Sequence, residues 1–423
     1  MSSTLHFDLE RHALGNGLKV VLAQDRRAPL VALNLWYHVG SKNEQPGQTG
    51  FAHLFEHMLF QGSAHVATNG HFQLIQEIGG TANGSTWYDR TNYYETLPAH
   101  HLERALWLES DRMGFLLPAM TQSKLDNQRE VVINERRQRV DNQPYGRAYE
   151  VLHELLYPAG HPYRWPVIGY MDDLRAASLP MVSEFFARFY VPNNAVLTLA
   201  GDFEKDQALE LIGRYFGDIP AGEPVLVPRP ARPELEAVRR EVLHDSVKLP
   251  RIYMAWPVPA FGADDWYALD LLSTALSAGK SSVLYEELIY HRGLAQDVTL
   301  YLTSTEASAL VYAIATARPG VDPAALEEAL LAQLEAAGNG PLPEAQLLRS
   351  RNRLLATHYA ELQTLERRAD LISELTTYFD DPWRITTELD RYRGLTAESV
   401  QAAARRWLRP EARAVVTVLP EEK

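Results

Sequence analysis

The chain has 423 residues, enough for two or three domains, and its 46% hydrophobic and 22% charged content is that of a folded protein rather than a disordered one. Asp and Glu outnumber Lys and Arg by 54 to 41, a formal charge of −13, which argues against a nucleic-acid or anionic-membrane surface. No apolar run approaches the roughly 18 residues of a membrane span, and with no cysteine there is no disulfide, thiolate metal site or cysteine nucleophile.

The opening residues, Met1-Ser2-Ser3-Thr4-Leu5-His6-Phe7, lack the basic start, apolar stretch and cleavage site of a secretory signal. A cytoplasmic location is expected, or a periplasmic or secreted one if a signal has been removed. β-Branched and aromatic residues predict strands over residues 18–24, 30–39 and 93–97. Helical spacing appears over 49–60 and 71–78, then over 99–116, 122–141, 145–156 and 180–190, with a closing strand over 195–200.

Pro220, Pro224, Pro228, Pro230 and Pro233 then mark an extended linker, residues 220–235. The flanking halves, 1–219 and 236–423, resemble each other. Trp36, at the end of Leu30-Val31-Ala32-Leu33-Asn34-Leu35-Trp36, matches Trp256 in Arg251-Ile252-Tyr253-Met254-Ala255-Trp256; Val191-Pro192 followed by Ala195-Val196-Leu197-Thr198 matches Arg409-Pro410 followed by Ala414-Val415-Val416-Thr417. The same order at nearly the same offset implies duplication. The expected class is α+β: two homologous domains, each a largely antiparallel sheet packed with helices, joined by a Pro-rich linker.

The segment that carries chemistry is His53-Leu54-Phe55-Glu56-His57. On a helix turning about 100° per residue, His53, Glu56 and His57 share one arc of about 100°, while Leu54 and Phe55 point elsewhere. Two imidazoles one turn apart can hold a zinc ion, and the carboxylate beside them can take a proton from its bound water. Chance supplies about 0.04 such patterns in a chain of this composition. The order inverts the commoner His-Glu-x-x-His helix and keeps its arc. A third protein ligand is needed. Glu130 and Glu135, in the helix expected over 122–141, both qualify by type, and spacing does not choose between them. The motif-free histidines His65, His71, His100 and His101 are read as solvent-facing, and Arg136-Arg137-Gln138-Arg139 as a solvated helix end.

His53-Leu54-Phe55-Glu56-His57, followed by Val131-Val132-Ile133-Asn134-Glu135-Arg136, resembles the pitrilysin and mitochondrial processing peptidase family of metallopeptidases, in particular its short bacterial branch. The resemblance implies Zn2+ as cofactor, His53, His57 and Glu135 as its ligands, and Glu56 as the catalytic base of a peptide hydrolase. Where the family usually carries a further glutamate, seven residues before the third ligand, this chain has Gln128, whose carboxamide can hydrogen-bond water or a ligand side chain. Gly79-Gly80-Thr81-Ala82-Asn83-Gly84-Ser85-Thr86 matches the family's edge strand, which implies that Ala82 and Asn83 bind extended peptide by strand addition.

The second half lacks the motif: Trp266-Tyr267-Ala268-Leu269-Asp270-Leu271-Leu272 stands in its place. Where the family supplies an arginine and a tyrosine for the tetrahedral intermediate, this chain has Ile289 and Gln296, with Arg292, Tyr290 and Tyr301 as nearby substitutes. The expectation is a zinc metalloendopeptidase subunit for peptides or unfolded polypeptides. It would work as a dimer around a closed chamber, with a non-identical homologous subunit supplying the missing pair, and with no nucleic-acid or membrane partner. The alternative is a non-catalytic or metal-binding assembly subunit of a peptidase-like complex.

Overall fold

The computed structural model describes residues 6–421. In the first sheet, β1 (Asp8–Ala13), β2 (Lys19–Gln24), β3 (Leu30–Tyr37), β4 (Thr81–Thr86), β5 (Thr91–Pro98) and β6 (Ala195–Gly201) lie in the order β1-β2-β6-β3-β5-β4. Only the β2–β6 pair is parallel. In the second, β7 (Arg239–Asp245), β8 (Arg251–Val258), β9 (Ala295–Leu302), β10 (Ala309–Ala317) and β11 (Ala414–Pro420) lie in the order β7-β11-β8-β10-β9, and only β7–β11 is parallel. Replacing each of β2 to β6 by its counterpart in the other half turns one order into the other. Duplication is thus visible as topology, and the fold is α+β with two helix-packed, largely antiparallel sheets. β1 is an addition to the first sheet with no counterpart in the second.

Both central strands are buried on both faces, which explains their largely apolar sequences. In β3, Leu33, Leu35 and Tyr37 join the main core with the helices that follow, while Asn34 and Trp36 turn to the opposite face. There the helix Leu365–Phe379 lies across β3 and β6: Trp36 Nε1 donates to Asp370 Oδ1 at 2.9 Å, and Ser373 Oγ donates to Thr198 Oγ1 at 2.8 Å.

Among the helices of the first half are α1 (Phe51–Met58), α2 (Gly70–Gln76), α3 (Leu102–Phe115), α4 (Gln122–Arg136) and α5 (Ala148–Leu156); three more follow at Met171–Ala176, Leu179–Phe189 and Lys205–Phe216. The helix expected over 122–141 ends at Arg136 and widens into a π-helical turn, Arg137–Asp141. Packing divides the chain into two interleaved units. One comprises the residues to Glu135, Pro166–Pro228 and Tyr359–Glu388; the other comprises Arg136–Trp165, Arg229–His358 and the residues from Leu389 onward. The α5 helix packs on β8 and β11 of the second sheet, while Leu365–Phe379, which holds the same place in the second half, packs on the first. Each repeat therefore lends the other its third helix after the β-hairpin. Within the second unit α5 is fixed by His153, whose Nδ1 donates to the Tyr163 carbonyl at 2.7 Å while Nε2 takes the Tyr312 hydroxyl; burial pulls its pKa down to about 4, so it stays neutral.

The chain passes from one unit to the other between Pro228 and Arg229, inside the proline-rich stretch, and residues 220–235 form no helix or strand. No helix among the described residues is long and apolar enough to cross a membrane.

Candidate metal centre

The α1 helix begins where two backbones cross. Gly50 has φ +86°, and a Cβ there would stand 2.7 Å from the Ile168 carbonyl oxygen, so only glycine fits. Thr49 holds the crossing in place: its hydroxyl donates to Asp173 Oδ2 at 2.6 Å and accepts from Tyr170 N at 2.9 Å. The Glu44 carboxylate caps the helix, taking Gly50 N at 2.9 Å and Ala52 N at 2.8 Å. Phe51, Ala52, Leu54, Phe55 and Met58 are buried, with Phe55 stacked on Phe185. That leaves His53, Glu56 and His57 on the partly open face.

Glu135, near the end of α4, flanks the stripe of that helix that Leu125, Val132 and Ile133 bury, and its half-buried side chain comes to the same place. Its Oε2 lies 3.3 Å from His57 Nε2 and 3.9 Å from His53 Nε2, and one donor atom from each of the three residues falls within 4.8 Å of the others. Three ligands about 2.1 Å from one zinc at tetrahedral angles stand about 3.4 Å apart. The donor set, two imidazoles and a carboxylate, and the spacing both suit that ion. The three side chains remain 13–23% exposed, so the cluster is open to water or substrate. Glu130 is exposed on another face of α4. Gln128 is buried and donates to Asn127 Oδ1 at 2.9 Å.

Glu56 sits beside the cluster, and Thr86 Oγ1 donates to its Oε2 at 2.6 Å. Burial pushes the Glu56 carboxyl above the ordinary range; the Thr86 hydrogen bond and the charges of His57 and Arg90 offset part of that, and Glu135 adds to it. β4 is the free edge of its sheet; Ala82 is half-buried on it and Asn83 is exposed, with Oδ1 accepting from Gly84 N at 2.9 Å. The motif's contacts with Glu44 and Thr86 have no sequence signature: one lies in a Gly-rich loop, the other on a strand distant in the chain.

Two surface readings need correction. His71 is 3% exposed, because it opens the buried side of α2 and its Nε2 meets Glu95 Oε1 at 2.9 Å. Glu109 lies in the same cluster, but the Arg112 guanidinium, bonded to Glu109 Oε2 at 2.8 Å and 3.5 Å from Glu95 Oε1, already fills the cation's place. Arg136 is 5% exposed and pairs with Glu150 at 2.7 Å, so it is no solvated helix end. In the second unit, Ile289 is half-buried in a π-helical turn (Tyr285–His291) and Gln296 is exposed on β9. Tyr290 and Arg292 are exposed, and the Tyr301 hydroxyl donates to Tyr149 Oη at 3.0 Å.

A duplicated sheet domain with an inverted His-x-x-Glu-His helix in one copy alone defines the class of the zinc-protease-like proteins. The chain belongs to peptidase family M16: residues 19–163 match the family described as Insulinase (Peptidase family M16), and residues 176–354 match the Peptidase M16 inactive domain. It is 30% identical over 375 residues to the zinc protease PqqE of Helicobacter pylori, covering 88% of this chain and 81% of that protein. A protease of known structure from Helicobacter pylori superposes with a TM-score of 0.93 at 28% identity, over 98% of this chain and 100% of that one. A peptidase M16 inactive domain from Pseudomonas fluorescens shares the fold, with a TM-score of 0.87 at 20% identity over 98% of each chain.

Proposed function

We propose that this chain is a zinc metalloendopeptidase subunit acting on peptides or unfolded polypeptides, with residues 1–219 as its catalytic half. The observation that carries this reading is the convergence of His53, His57 and Glu135 within 4.8 Å, with Glu56 beside them. His53, His57 and Glu135 would hold Zn2+, which when bound supplies a Lewis acid for the scissile carbonyl and lowers the pKa of water. Glu56 accepts a proton from the attacking water at its carboxylate and returns it to the leaving amine nitrogen. Ala82 and Asn83, on the free edge of β4, would align extended peptide by main-chain hydrogen bonds, which bring affinity without a strict sequence requirement. The second half, residues 236–423, would support a dimer with a non-identical homologous subunit.

The test is metal content and peptide cleavage of the purified chain, alone and with a homologous subunit carrying arginine and tyrosine, before and after chelation. Cleavage that is lost on chelation and restored by zinc is expected. Tight metal uptake with no cleavage under either condition would favour the non-catalytic, metal-binding subunit instead.

A further inference from the structure

We infer that Thr86 is the positioning residue of the general base, an assignment that rests on the peptidase reading above. The Thr86 hydroxyl donates to Glu56 Oε2 at 2.6 Å. A carboxylate has no proton to offer, so the direction of the bond is fixed. With Oε2 engaged, the carboxylate cannot rotate freely, and Oε1 is left to face the proton it must take. Such a bond is strengthened in a largely desolvated setting.

Thr86 can do this only if it does not move, and the hairpin that carries it is locked from several directions. Ser41 N donates to the Trp87 carbonyl at 3.2 Å and Lys42 N to the Tyr88 carbonyl at 2.9 Å. Lys42 Nζ pairs with Asp89 Oδ1 at 2.9 Å, both side chains fully buried. The Arg90 guanidinium donates to the Ser85 carbonyl at 2.8 Å and to Asn92 Oδ1 at 3.1 Å. A Cβ on Gly40 would clash with the Trp87 carbonyl oxygen, so the two segments meet backbone to backbone. The same strand runs close to the base at a second point: a Cβ on Gly84 would lie 3.2 Å from Glu56 Cγ, tighter than ordinary packing.

One short segment therefore sets both partners. Gly40–Lys42 holds the hairpin, and Glu44, two residues on, caps the helix that carries Glu56. The edge strand proposed to receive peptide is thus also the strand that orients the base.

The test compares Thr86→Val, which keeps the shape and deletes the donor, with Thr86→Ser, which keeps the donor. Turnover, KM and bound zinc are measured in the full chain, with its activating subunit where one is required, and Glu56→Gln serves as reference. Thr86→Val should lower kcat by about 10- to 100-fold, the usual effect of losing a hydrogen bond to a charged group, while KM and zinc content stay within about two-fold. Thr86→Ser should recover most of the loss, and Thr86→Val should add nothing in the Glu56→Gln background. Wild-type kcat in Thr86→Val, equal losses in both Thr86 variants, or a further loss in the Glu56→Gln background would each overturn the assignment alone. Turnover that survives Glu56→Gln would overturn the peptidase reading itself, and the role of Thr86 with it.

Discussion

Oε2 of Glu135 lies 3.3 Å from Nε2 of His57, although the two residues come from different helices. Glu130, one and a half turns earlier on α4, is exposed on another face. Removing one of three protein ligands should greatly weaken metal binding, whereas losing an exposed carboxylate costs little. Glu135→Gln is therefore expected to lose zinc on dialysis and Glu130→Gln to keep it, as read by metal analysis of the two proteins. The opposite pattern would remove Glu135 from the metal site.

Glu44 makes a second prediction, about rigidity rather than ligation. Its buried carboxylate takes two N–H groups at the start of α1, a helix of eight residues that carries both imidazoles. Glu44→Ala leaves those donors buried and unpaired, which should cost about 1–3 kcal/mol. A lowered urea midpoint and faster zinc loss to a chelator are expected together. A variant with unchanged stability and unchanged zinc retention would show that the cap is dispensable.

The buried His71–Glu95–Glu109–Arg112 cluster sets a pH dependence. Burial pushes Glu109 up to about 8, and its carboxyl is hydrogen-bonded to Glu95. The folded protein thus holds a proton that the unfolded chain, ionising near 4.5, has released. The stability from this group is complete at low pH and is lost as pH rises toward 8, at about 1.4 kcal/mol per unit of separation. Burial pulls His71 down to about 3, so its contribution runs the other way: it is present above about 6.5 and lost as pH falls toward 3. The two oppose each other between 4.5 and 6.5, and Glu109 acts alone above that window. Thermal unfolding should show the wild-type midpoint falling between pH 6.5 and 8.5, and falling less in Glu109→Gln, whose amide keeps a donor and an acceptor in the cluster. Parallel curves for the two proteins would exclude Glu109 as the source.

How much of this was legible in the sequence depends on the range of the interaction. The arc of His53, Glu56 and His57 is a local property of one helix, so spacing alone placed the three on one face. The repeat was legible through Trp36 and Trp256, because both lie on doubly buried central strands whose apolar runs leave a pattern. Helix spacing does not say which sheet an apolar face will cover, so the exchange of α5 and Leu365–Phe379 between repeats was hidden. His71 was misread for the same reason: its partners Glu95, Glu109 and Arg112 are brought to it by a strand and a helix distant in the chain. The choice between Glu130 and Glu135 needed either a family resemblance or the position of α4.

The last prediction concerns the proposal that a partner subunit supplies the donors to the tetrahedral oxygen. Negative charge developing on a tetrahedral oxygen needs a donor besides a metal, and one such donor is commonly worth about 3 kcal/mol, or roughly 10²–10³ in rate. Ile289 offers no donor, and Gln296 offers a neutral amide on a side chain shorter than tyrosine. Among the nearby substitutes, Tyr290 and Arg292 are exposed, and the Tyr301 hydroxyl donates its proton to Tyr149. The isolated chain should therefore cleave peptides slowly even when fully loaded with zinc. Adding a homologous subunit that carries both arginine and tyrosine should raise kcat/KM by about 100-fold, and replacing that subunit's arginine with alanine should abolish the gain while leaving association intact, as measured by sedimentation. Full activity of the isolated chain, unchanged by the added subunit, would overturn the heterodimer. In that case Arg292, Tyr290 and Tyr301 are replaced one at a time, and the variant that lowers kcat/KM identifies the substitute donor.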